Sequence, residues 1–261
     1  MIQWREATVD RVRAKWRGAV EYEVTLGGPA RDTIPALAYT DLVGEPTPGD
    51  RVLLNVGALD RGLGTGGVAL IVAIPDRLPA DPQPGPGHIV KARYTPMQTI
   101  VLGVDEQESP HHDALRNAKG INDMPVIMAD LHSAVPAILA GLREAAPDVR
   151  VVYVMTDGGA LPIAFSRSVA GLCEAGWLAG TVTVGQSFGG DLEAVNVHTG
   201  LLAAAPALHA AVPIVAQGPG LPATRPPWGS PGGAPRPAVN PTPMPRVRPP
   251  APLPEPLIPP R

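Results

Sequence analysis

A single cysteine, Cys173, stands in a chain of 261 residues, which excludes an intramolecular disulfide framework. It falls in an apolar helical pattern with Val169, Leu172 and Trp177 and reads as a small core side chain, not a reactive thiol. No apolar run reaches the ~20 residues that a bilayer-spanning helix needs. Residues 1–6 carry no signal-peptide pattern. The formal net charge of -3 gives no reason to expect nucleic acid or a membrane surface as the main partner. Paired cysteines, H-E-x-x-H, the P-loop and the G-x-G-x-x-G fingerprint are all missing, so no cofactor is implied. These absences leave a cytoplasmic protein whose expected partner is a small molecule.

Proline and glycine punctuate what is present. Residues 1–75 read as a small β domain. Residues 8–12 and 19–26 alternate apolar with polar, as a half-buried strand does, and residues 34–39, 51–55 and 68–74 complete the set. Short strands at this spacing predict a small barrel or sandwich. Residues 76–97 form a connector whose prolines forbid regular helix or central strand.

From residue 98 to 220 strands alternate with helices. Five buried strands are expected at 101–104, 126–128, 151–155, 181–184 and 214–216. Helices are expected at 110–119, 133–146, 162–175 and 199–210, with Ser109 and Ser133 as caps. This rhythm predicts an α/β fold: a β-barrel-like domain, then a Rossmann-like three-layer domain with a mainly parallel sheet. Residues 221–261 hold no apolar periodicity and sixteen prolines, so they read as a disordered proline-rich tail. The tail is either a natural linker or the product of a shifted reading frame in GC-rich coding sequence. A sheet that stops at Gly220 is expected to leave apolar surface or a strand edge open.

In open α/β sheets ligands bind outside the carboxyl ends of the strands. Thr156, Asp157, Gly158 and Gly159 lie between a strand and an expected helix start. Two glycines there let backbone approach a phosphate or carboxylate. Gly185, Gln186, Ser187, Gly189 and Gly190 form a second such turn, and Gln217 and Gly218 a third. Asp105, Asp130, His132 and Asp157 follow consecutive expected strands. Converging, they could bind a divalent metal or supply a general base; singly, they cap helices or satisfy backbone groups. The G-x-S-x-G spacing at 185–189 hints at a serine nucleophile, though Gly190 and Asp191 suit a loop better than the elbow's helix. Lys91 and Arg93 read as surface cations.

Several longer segments carry a family likeness: residues 87–96, 103–107 with 109–112, 129–133, 155–162, 180–195, 197–201 and 216–220. In these, residues 2–220 resemble a bacterial family, domain of unknown function 3866, best represented in actinobacteria. The resemblance supplies no activity. Three functions stand open: binding of a small anionic ligand at the strand edge with or without turnover, a metal-dependent hydrolase or transferase, and a non-catalytic interaction module.

Overall fold

A computed structural model describes residues 2–64, 66–82 and 85–220. The first unit is a closed barrel of β1 (Trp4–Trp16), β2 (Ala19–Leu26), β3 (Thr33–Tyr39), β4 (Arg51–Asn55) and β5 (Ala69–Ala73), in the order β1-β2-β3-β5-β4. Closure depends on β1. Its N-terminal part pairs with β4 and most of its length with β2, and register shifts after Val9 and Val12 bend it between the two. Alternation turns Val20, Tyr22 and Val24 inward to meet Ala7, Val9, Ala36, Val52, Leu54 and Ile71. Short helices α1 (Thr40–Val43) and α2 (Gly57–Asp60) fill the corners. The five strands expected at 8–12, 19–26, 34–39, 51–55 and 68–74 are these five.

β6 (Ile89–Lys91) and β7 (Thr99–Val101) then form an antiparallel pair, followed by the helix α3 (His112–Arg116). The second sheet contains β8 (Ile127–Ala129), β9 (Val151–Thr156), β10 (Gly180–Val184), β11 (Leu192–Ala194) and β12 (Val212–Gln217). Its order is β11-β10-β9-β12-β8, and every pair is parallel. Helices α4 (Val135–Ala145) and α5 (Arg167–Glu174) cover one face, packing Val135, Leu139 and Val169 on Val151, Tyr153, Met155 and Ile214. Helix α6 (Val197–Leu208) covers the other, over Val152, Val154, Val182, Val184 and Val215. The continuous apolar run of β9 is the signature of a strand buried on both sides.

Two expectations need correcting. Residues 101–104 are not a strand of the parallel sheet. Val101 belongs to the β6–β7 pair, and only an isolated bridge from Gly103 to Glu193 touches β11. The fifth strand is β11, hidden because it is three residues long and carries a charge. Nor is the last described strand, β12, an edge of the sheet, whose edges are β8 and β11. β12 lies between β9 and β8, with Pro213 to Gln217 buried. The reading of residues 221–261 as a disordered tail lies outside the described residues.

The barrel docks on the α5 face of the sheet. The Trp16 indole donates to the Ala164 carbonyl (2.7 Å), and Arg17 pairs with Asp191 (2.7 Å). A Cβ on Gly18 would stand 2.9 Å from the Ala164 Cβ, so the β1–β2 turn needs glycine to come this close. Residues 75–82 between the units are exposed and lack helix or strand. Trypsin is expected to cut first at Arg77. A first cut between Ile127 and Gln217 would count against that boundary.

Candidate functional site

The strand ends expected to converge are spread along one rim. Asp130 follows the edge strand β8, while Asp105 follows the bridge beyond β11 at the opposite edge. Five strand steps of about 4.8 Å place them roughly 24 Å apart. Asp105 is exposed, its carbonyl accepting from the His112 ring, and Asp130 is exposed as well. Asp157, in the middle, accepts the Gln186 N–H (2.8 Å). Among the described residues no group of three or more His, Cys, Asp and Glu side chains is placed to hold a metal.

The glycine turns are filled by the chain itself. A Cβ on Gly159 would collide with the carbonyls of Gly218 and Pro219, and one on Gly158 would lie 2.8 Å from the Gln217 Oε1. The Ala160 N–H bonds the Pro219 carbonyl (2.7 Å) and the Gly218 N–H bonds that of Thr156 (3.1 Å). The close approach that these glycines permit is therefore to the end of β12. No helix starts at Gly159 either, because a 3-10 turn (Ile163–Phe165) intervenes and α5 begins at Arg167. Gly185, at φ +64°, leaves room for the Asp157 carboxylate. Gln186 Oε1 accepts the Arg93 N–H (3.0 Å). Ser187 is fully buried and its hydroxyl has no partner, which removes it as a nucleophile. Gly189 and Gly190 donate to Glu193 (2.6 Å) and Thr183 (3.1 Å).

Two features escaped the sequence. Lys91 is not a surface cation: it is 0% exposed. Its ammonium donates to the carbonyls of Ser187 (2.9 Å), Ala194 (3.0 Å) and Thr183 (3.5 Å) and lies 3.3 Å from Glu193. Burial pulls the lysine pKa down and pushes that of Glu193 up. The second is a chain of hydrogen bonds below the rim. Tyr153 OH donates to the Gln217 carbonyl (2.9 Å), His132 Nδ1 meets Tyr153 OH (3.0 Å), and His132 Nε2 meets Ser166 Oγ (2.7 Å). Ser166 caps α5 by accepting the Val169 N–H (3.0 Å). Tyr153 spends its proton on a carbonyl, so Nδ1 must be the protonated nitrogen and Nε2 must accept from the serine. Desolvation lowers the His132 pKa, which favours this neutral ring. His132 was a candidate from the sequence; Ser166 was not, because an N-cap serine carries no local sign of its base.

Ser166, only 4% exposed, is among the residues lining a cleft of about 390 Å³ where the barrel meets the sheet. Arg17, Tyr39 and Asp41 line it from the barrel, and Ile163, Thr181, Cys173, Gly189 and Gly190 from the sheet side. Of the residues expected to bind ligand, Gly189 and Gly190 are the two in this cleft. Asp157, Gly158, Gly159, Gly185, Gln186, Gln217 and Gly218 instead stitch the rim together.

Gly159→Ala should cost about 1–3 kcal/mol in urea unfolding, because its methyl meets backbone that cannot move alone. Gly158→Ala should cost less, since a glutamine side chain can give way. Equal costs would contradict this. Lys91→Ala leaves Glu193 buried without its partner and should cost about 3–5 kcal/mol. A loss below ~1 kcal/mol, the scale of a surface pair, would show that the buried cage does not form.

A family model described as "Protein of unknown function (DUF3866)" matches residues 35–242, continuing past Gly220. No match was found among curated proteins or among solved structures. Among the described residues no helix is long and apolar enough to cross a membrane. On a match that covers most of its length, this barrel-plus-sheet chain belongs to the family of proteins of unknown function DUF3866.

Proposed function

We propose that this protein binds a small ligand bearing a carboxylate or phosphate, and that the ligand sits in the cleft between barrel and sheet. The cleft carries the reading. Its volume of about 390 Å³ falls within the range of small-molecule pockets. Its walls pair an apolar floor, Ile163 and Val169, with the hydroxyls of Ser166 and Thr181. Arg17 stands at the side. Its guanidinium has five N–H donors, enough to hold Asp191 and a ligand anion together. The rim, where the anion was first expected, is occupied by the protein's own β12 turn. In this reading the second unit is a Rossmann-like domain that has lent its ligand site to the barrel junction, and the protein works in the cytoplasm. The metal-dependent alternative finds no ligand set among the described residues.

A thermal-shift screen of phosphorylated and carboxylated small molecules tests it. At 100 times Kd a true ligand adds about 2.7 kcal/mol of stability. Arg17→Met should weaken that ligand about tenfold or more, and Ala170→Phe, which fills the cleft, should abolish its effect. Stabilisation unchanged by both substitutions, or no stabilising compound in the screen, would overturn the assignment.

A further inference from the structure

We propose that Ser166 and His132 form a nucleophile–base pair that hydrolyses a carboxylic ester or thioester bound in the barrel–sheet cleft. The proposal rests on the cleft as a ligand site but not on the ligand's charge. A helix cap needs only an acceptor, and Ser166 serves α5 in that way through the Val169 N–H. Nothing in capping requires the hydroxyl proton to be received by an imidazole. Here it is received at 2.7 Å, by a ring whose other nitrogen is held at 3.0 Å by a buried phenol. That phenol is fixed in turn by the Gln217 carbonyl at 2.9 Å. Nucleophile, base and orienting group within hydrogen-bond reach of one another are the arrangement that activates serine.

The same serine, though only 4% exposed, is one of the residues that line the cleft. Three elements far apart in the chain supply the parts: the turn before α4, the middle of β9 and the N-cap of α5. Ser187, which has the hydrolase-like spacing, has no base at its hydroxyl and does not line this cleft.

The chemistry balances without another reagent. As Ser166 Oγ bonds to the carbonyl carbon, its proton passes to His132 Nε2. The tetrahedral adduct then collapses, the bond from carbon to the alkoxide or thiolate breaks, and the leaving group takes the proton from Nε2. Water enters by the same route, its proton going to Nε2 and then to Ser166 as the acid is released. Tyr153 touches no reacting atom; it is a positioning residue that keeps Nδ1 protonated and Nε2 free.

The full chain is treated with diisopropyl fluorophosphate, and the adduct is located by peptide mass mapping. A single adduct on Ser166 is expected, with 4-nitrophenyl acetate hydrolysis lost in proportion. His132→Gln should slow labelling by about 100-fold or more, the scale of general-base assistance. Tyr153→Phe should keep labelling but shift its pH profile, which a purely structural role would not do. Ser166→Asn keeps a capping oxygen and should give no adduct. An unlabelled Ser166 in the unaltered chain, or labelling as fast in His132→Gln, overturns the pair. If Ser166 stays unlabelled while a cleft ligand still stabilises the protein, the catalytic proposal fails and the binding reading stands.

Discussion

The return from β10 to β11 is the constraint on which the rest of the structure turns. Neighbouring parallel strands need a crossover of a dozen or more residues, and usually a helix. Here β10 ends at Val184 and β11 begins at Leu192, so residues 185–191 must turn, run back and turn again. Positive φ at Gly185 and Gly189 makes the corners. The folded-back loop and its strands point the carbonyls of Thr183, Ser187 and Ala194 inward, where their repulsion needs a donor. Lys91 supplies it from outside the sheet, with Glu193 balancing the charge. A lysine inside this loop is costly in desolvation, and it is held by four oxygen partners at once.

The missing crossover helix has a second consequence. The face of β10 turned away from α6 carries Thr181 and Thr183 rather than valine. Those hydroxyls bond Asp191 and Gly190 of the return loop. A parallel sheet must have both faces covered, and the barrel provides the cover. Its β1–β2 turn brings Trp16, Arg17 and Gly18 against Ala164 and Asp191. The cleft is the space left where a rounded barrel replaces a helix.

Alternation made β1 and β2 legible, because the period survives in 19–26 almost unbroken. The doubly buried strands β9, β10 and β12 were legible as apolar runs. β11 was not: three residues with a glutamate in the centre give no signal, and the glutamate meets Lys91 from a distant ribbon and the Gly189 N–H of the return loop. The apolar run at 101–104 was read into the sheet for the converse reason. Its first residue pairs with β6 and Gly103 only bridges to Glu193, and a run of four residues does not say which partner it takes. At the site, His132 showed in the sequence because it follows a strand, whereas Ser166 and Lys91 depend on contacts 34 and about 100 positions away. The Gly158–Gly159 turn was expected to let backbone approach a ligand. What approaches is the β12 turn of the same chain, which a one-dimensional reading cannot distinguish from a ligand.

The segment between β9 and α5 carries two loads that bind site and docking together. Its 3-10 turn offers the Ala164 carbonyl to Trp16, and the next residue but one is Ser166. Arg167, following directly, lays its guanidinium over the Trp16 ring, 5.6 Å from the centroid. Displacing the barrel therefore pulls on the chain on both sides of the serine that caps α5 and meets His132. A ligand seated in the cleft touches the two units at once, so it must favour the docked arrangement by whatever it gains from the second wall. The return loop is coupled to the same event, since Asp191 holds Arg17 on one side and Thr181 on the other. A cleft built this way is not a pre-formed hole in one domain but a junction, whose integrity depends on Arg17, Trp16 and the serine turn remaining in register.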